Sequence, residues 1–259
     1  MIEPATRHVR LLLSFAILAL FLSQSLAARC RGPRGISKSR QSATDRPVTP
    51  VPLRDRDARK VVYQEDLKEL TLILPQMHIT RQPVNDEISR RWFDSFIEEF
   101  DRRRMCFTLE DINRFSQYRE KLDDHARQGD LSFAVLIRNT YARRLRQTTG
   151  WGEELLAEKH DFTTDEQFEL KPAKFLPDDA ALRDRWRRRV KYDLLEERLS
   201  AVGSEDAVAR LRARYRRIAR ENALSDDEEL FERYLDALAR TYDPHTRYIG
   251  ERTLILFRE

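Results

Sequence analysis

Trp92, Phe93, Phe96, Ile97 and Phe100 recur at spacings of three and four inside the charged stretch NDEISRRWFDSFIEEFDRRR. Only a helix gathers such positions onto one face, because 3.6 residues complete a turn. The pattern returns twice. Leu182, Trp186, Val190 and Leu194 repeat every four residues, joined by Leu195 and Leu199, and Phe231, Tyr234, Leu235, Leu238 and Tyr242 line a helix running from about Asp226. A core-facing stripe accounts for each set better than a cofactor box does. A charged fraction of 36% with only 7 glycines fits long, solvated helices and argues against glycine-rich nucleotide folds. The fold class read from these features is all-α.

Further boundaries follow from caps and breakers. Val61 to Leu74 reads as a first helix ended by Pro75, and Asn85 or Asp86 opens the second. Thr108-Leu109-Glu110-Asp111 has the form of a capping box with Asp in place of Glu, opening a third helix through Ile112, Phe115 and Leu122. Gly129-Asp130 breaks and recaps the chain before a long helix from Leu131 toward Thr148, with Gly150 and Gly152 short of a continuation to Lys159. His160 to Asp179, bounded by Pro172 and Pro177, reads as irregular, with room for a short extended segment around Phe168 to Leu170. Gly203 ends the helix carrying Trp186, and Ser204-Glu205-Asp206 starts an Arg-rich one through Asn222. Seven or so helices are expected over residues 61–250.

Residues 1–28 combine Arg7 and Arg10, the apolar run Leu11 to Leu22 and small residues at Ser25, Ala27 and Ala28. This is a secretory signal pattern, cut after Ala27 or Ala28. Its apolar run is shorter than the roughly 20 residues a spanning helix needs, so a membrane is expected only through an uncleaved leader. Arg29 disfavours lipid attachment at Cys30, since that chemistry wants a small residue before the cysteine. Residues 29–60 carry +7 of the net charge of +4, the leader carries +1, and residues 61–259 carry −4. The basicity therefore sits in a Pro-, Ser- and Arg-rich stretch that reads as a disordered linker. A solvated linker explains it better than a nucleic-acid arm, and no nucleic acid is expected as partner. Cys106, between Met105 and Phe107, reads as a core thiol. A Cys30 to Cys106 disulfide is permitted in an oxidising compartment but not favoured, with one partner in a linker.

No catalytic, cofactor-binding or metal-binding residue is assigned. His8, His78, His125, His160 and His245 show no metal-ligand spacing, and no nucleophile elbow or glycine-rich phosphate loop occurs. Asp243-Pro244-His245-Thr246 tempts as an Asp–His pair, yet Asp-Pro after a helix reads first as a turn in which Asp bonds its own backbone.

With the motifs placed, a resemblance emerges. Ile79-Thr80-Arg81-Gln82-Pro83-Val84-Asn85-Asp86-Glu87-Ile88-Ser89, then Trp92-Phe93 and Phe100-Asp101, resembles the start of the helical N-terminal domain of bacterial tail-specific proteases, also called carboxyl-terminal processing proteases. Phe107 with Asp111-Ile112, and Gly129-Asp130-Leu131-Ser132-Phe133-Ala134, continue it. So do Asp161-Phe162-Thr163-Thr164-Asp165-Glu166, Trp186-Arg187-Arg188-Arg189-Val190-Lys191-Tyr192-Asp193 and Asp243-Pro244-His245-Thr246-Arg247-Tyr248. Asp101-Arg102 lacks the family's proline, so that helix end is expected to be looser. Ile249-Gly250 departs from the family's Phe/Leu-Ser-Pro, and residues 251–259 form a tail outside the resemblance, where a PDZ domain would begin.

The resemblance implies an all-α N-terminal portion of a serine-type peptidase whose PDZ domain captures substrate C-termini and whose Ser-Lys pair hydrolyses them. No position here matches either catalytic residue, so the chain is expected to be inert alone and to represent a truncated or split product. Its implied partners are the PDZ and protease domains or a related full-length protease, an adaptor lipoprotein and protein substrates. Its implied place is the periplasm. The alternative is a free-standing exported interaction protein that binds a related protease or its adaptor.

Overall fold

A computed structural model describes residues 53–170, 172–200, 207–222, 226–250 and 253–254. Among them are eight α-helices: α1 (Leu53–Met77), α2 (Asp86–Asp101), α3 (Leu109–Phe115), α4 (Leu122–Gln128), α5 (Ser132–Leu155), α6 (Asp179–Leu199), α7 (Ala207–Asn222) and α8 (Asp227–Arg240). No strand occurs among the described residues, and Thr108 and Leu176 form one isolated parallel bridge. The all-α expectation holds over these residues. The leader at 1–28, linker residues 29–52, Gly203 to Asp206 and most of the tail at 251–259 lie outside them.

Two apolar cores organise the helices. The larger joins α1, α2, α4, α8 and the first half of α5, with Trp92, Phe93, Phe96, Phe133 and Tyr234 almost wholly buried. The Trp92 ring stacks on Tyr234 at 4.4 Å, and its indole N–H donates to the Tyr234 carbonyl at 3.0 Å. The smaller core joins the second half of α5 to α6 and α7 through Leu155, Leu182, Trp186, Val190, Leu211 and Tyr215. Helix α5, about 36 Å long at 1.5 Å per residue, is shared by both. Burying side chains of this size removes about 1.5–3 kcal/mol of exposure cost each, the main force closing both cores.

The caps fall where the side-chain chemistry puts them. Asn85 Oδ1 accepts from the Ile88 amide, and Thr108 and Asp111 bond each other's amides in a complete capping box. Gly129 ends α4 at φ 70, and a Cβ there would meet the Gln64 carbonyl at 2.8 Å, so a side chain is excluded by both conformation and space.

Several expectations are corrected. Helix α1 begins at Leu53, so residues 53–60 are helical rather than linker, and Arg59 pairs with Glu228 of α8 at 2.5 Å. Pro75 lies inside its last turn, which closes through the His78 amide to the Leu74 carbonyl at 3.0 Å. The third predicted helix is split: a 3-10 turn at Ser116–Tyr118 separates α3 from α4. A tertiary lock redirects the chain there, with Ser89 Oγ donating to the Asp123 carboxylate at 2.8 Å and accepting from the Asp123 amide at 2.9 Å. Leu195 and Leu199 are exposed, because each four-residue step advances the face by about 40° and the stripe drifts off the core. Phe168 to Leu170 is not a strand. Phe168 instead packs on the smaller core beneath the Arg185 and Arg189 guanidiniums. Cys106 is a buried free thiol.

Candidate functional site

The end of α2 shapes a concavity among the described residues. Asp101 closes the helix by turning its carboxylate inward: Oδ1 accepts from the Met105 amide at 2.7 Å, and Oδ2 from the Cys106 and Phe107 amides at 2.9 and 2.8 Å. Burial pushes the Asp101 pKa above its ordinary value, although the three amides favour the anion. The helix end expected to be loose without the family's proline is thus pinned. To make the reversal, Arg104 takes the left-handed conformation at φ 49, and its guanidinium lies over the Phe175 ring. Arg102 and Arg103 are left at the surface on the outside of the turn.

Behind this turn lies a half-open cleft of about 380 Å³. Tyr141, Leu145 and Thr149, four apart on α5, supply one wall in a single stripe. Trp186 of α6 and Tyr215 and Ile218 of α7 supply the other, and Arg102 and Arg103 stand on the rim. The Trp186 indole donates to the Met105 carbonyl at 2.8 Å, fixing the wall to the Asp101 turn. Tyr215 donates to Asp193 at 2.6 Å, while Arg189 and Arg214 pair with the same wholly buried carboxylate at 2.9 and 2.6 Å. Burial, then the Asp193 charge, raises the Tyr215 pKa, so its phenol stays a donor. Burial likewise raises the Cys106 thiol well above its usual value, which keeps it protonated rather than nucleophilic.

A second feature is the segment Asp243 to Gly250. The Asp243 carboxylate accepts from the His245 amide at 2.7 Å, and the Thr246 amide bonds the Asp243 carbonyl at 3.0 Å. It is a turn, as expected, and no catalytic pairing with the exposed His245 ring forms. Asp236 of α8 then accepts from Arg247 Nε at 2.8 Å and from the Tyr248 amide at 3.1 Å. The buried Tyr248 phenol donates to Asp66 of α1, and the Gly250 amide donates to Glu232 at 3.0 Å. Two helices thereby hold the segment, α8 through its backbone amides and α1 through the Tyr248 phenol. The two features are joined: Glu99, which lines the cleft, pairs with Arg240, and Arg240 reaches Asp236 at 3.3 Å.

The histidines stay apart. His78 bonds Thr80, His125 pairs with Asp130, and His160 bonds the Leu155 carbonyl, each within its own segment, while His8 lies outside the described residues. Among the described residues no group of three or more His, Cys, Asp or Glu could hold a metal ion. What the geometry offers is binding surface. Sequence reading assigned no site residue; the run Arg102-Arg103-Arg104 after an aromatic helix was the signal available for the rim.

Residues 70–252 match the model of the tail specific protease N-terminal domain. The chain belongs to this family. The matched residues take in helices α2 to α8, the residues lining the cleft and the Asp243–Tyr248 segment. The chain is similar to the tail-specific protease of Haemophilus influenzae, at 30% identity over 195 residues. That alignment takes in 74% of this chain and 28% of the relative, so the chain spans less than a third of the relative's length.

Proposed function

We propose that this domain is the non-catalytic helical front of an exported, periplasmic tail-specific protease, where it helps enclose substrate or receives an adaptor lipoprotein. The family match carries the reading. The anchored Asp243–Gly250 segment supports it physically. Bonds from Tyr248 and Gly250 to α1 and α8 give whatever follows a defined direction of exit, as a domain that positions a neighbour requires. The apolar leader, with its charged start and small residues before Arg29, supports export. Hydrolysis belongs to other parts of the enzyme, and the domain alone is inert.

The test is reconstitution. The chain is mixed with the part of the Haemophilus influenzae protease that lies beyond the aligned region, and cleavage of a peptide with an apolar C-terminus is followed. Activity on mixing, with none from this chain alone, is expected. Hydrolysis by the purified chain, persisting through successive purification steps, overturns the non-catalytic assignment. Absence of any gain on mixing favours a free-standing binding protein.

A further inference from the structure

The cleft between the two cores has a chemistry that the protease reading does not assign. Its walls are apolar and aromatic, from Tyr141, Leu145, Trp186 and Tyr215. Its rim carries charge that nothing in the fold consumes. Neither guanidinium of Arg102 or Arg103 has an ion pair or hydrogen bond among the described residues. The other charged groups at the cleft are engaged: Arg189 with Asp193, Glu99 with Arg240, and Asp101 with three amides. At about 380 Å³ the space falls at the small end of the roughly 300–1,000 Å³ typical of ligand pockets.

We propose that the cleft captures a protein segment in which one bulky apolar side chain stands beside a carboxylate. The apolar walls receive the side chain, and Arg102 and Arg103 meet the carboxylate as it crosses the rim. Three observations choose this occupant. Two adjacent unpaired cations beside an apolar hollow complement an anionic, amphipathic group. Glu99, Asp101 and the negative end of the α2 dipole stand behind the rim, which favours a single negative charge over a doubly charged phosphate. The half-open mouth suits a side chain entering from a passing chain better than a molecule enclosed on all sides. Exposed arginines at a helix end are ordinarily just solvated; here they border a preformed apolar space, and that conjunction gives them a role.

The experiment is calorimetric titration of the 259-residue chain with an octapeptide capped at both ends, carrying a central Phe next to a single Asp. Saturable binding that weakens with salt is expected. Replacing the peptide's Phe by Ala should weaken it more than about tenfold, from lost apolar burial. The Arg102→Gln/Arg103→Gln double variant should weaken it by about three- to tenfold. Both arginines are exposed and unpaired, so circular dichroism and Tm of the variant should match the wild type. No saturable binding up to ~1 mM, or binding unchanged in the double variant, overturns the proposal. Equal affinity for 3-phenylpropionate alone also overturns it, by assigning the cleft to small carboxylates. The titration needs no protease domain, so its failure leaves the family reading intact, and failed reconstitution leaves a measured affinity standing.

Discussion

Trp186 should be the costliest side chain to remove from the smaller core, and its neighbour Gly152 makes the reasoning testable by sign as well as size. Trp186 is 7% exposed, meets the Tyr215 ring edge-on at 5.8 Å and donates to the Met105 carbonyl at 2.8 Å. Truncation to Ala costs about 3–5 kcal/mol for lost burial and cavity, plus about 1 kcal/mol for the orphaned carbonyl. A Cβ on Gly152 would lie 3.0 Å from both Trp186 Cζ3 and Tyr215 Cδ2, so Gly152→Ala forces the rings apart. Overpacking costs about 1–3 kcal/mol, against about 1 kcal/mol gained in helix propensity. The substitution is therefore neutral to destabilising in the native protein. In a Trp186→Ala background the crowding is relieved and Tyr215 can relax into the vacated space, so Gly152→Ala should stabilise by about 0.5–1 kcal/mol. Gly150 lies in the same helix with nothing within 4 Å of its Cβ position, and Gly150→Ala should stabilise in both backgrounds. Urea unfolding followed by far-ultraviolet circular dichroism gives all the values. A Trp186→Ala loss under about 1 kcal/mol, or the same sign for Gly152→Ala in both backgrounds, would refute the packing account.

Other predictions rest on polar contacts. Asp101→Ala should cost about 3 kcal/mol or more by leaving three amides without their acceptor, and Asp101→Asn about 1–3 kcal/mol, measured by urea unfolding; an Ala variant within about 0.5 kcal/mol of wild type contradicts the pinned helix end. Glu166 is held at a pKa of about 2, below its ordinary 4.5, by Arg187 first and then Lys191. Its stabilising contribution is complete above the unfolded value and disappears as pH falls through about 2; a carboxyl NMR titration with a midpoint near 4.5 would sink this. Asp236→Ala removes the acceptor shared by Arg247 and the Tyr248 amide, so hydrogen exchange over residues 246–250 should accelerate while α2 and α5 keep their protection. Unchanged exchange there would mean that the segment is held by packing alone.

What the sequence disclosed follows from the range of each interaction. The stripes on α2 and α8, the caps at Asn85 and Thr108 and the start of α8 near Asp226 are local, written in short spacings, and they were legible. The break between α3 and α4 was not, since it is set by Ser89 reaching Asp123 across 34 residues. The early start of α1 was hidden because residues 53–60 carry charge without an apolar stripe. The cleft was illegible because its walls come from α5, α6 and α7, far apart in the chain, each of which shows only an ordinary core face. Motif resemblance located the Asp243–Tyr248 segment, but the partners that give it rigidity, Asp66, Glu232 and Asp236, belong to no motif read beforehand.

The linked carboxylates and arginines give the domain a geometry that fits its proposed work. Glu99 at the cleft, Arg240 and Asp236 form a continuous ionic chain on α2 and α8, and Asp236 in turn fixes Arg247 and Tyr248. Such pairs contribute little stability where solvent reaches them. Their effect is positional, because α2 and α8 also share the Trp92–Tyr234 stack and cannot slide without breaking it. The α2 side of the cleft and the Asp243–Gly250 segment are therefore tied through α8. Under the proposed function, this coupling through α2 and α8 lets occupancy of the cleft bear on the backbone at Tyr248 and Gly250, and so on how the next part of the enzyme is placed.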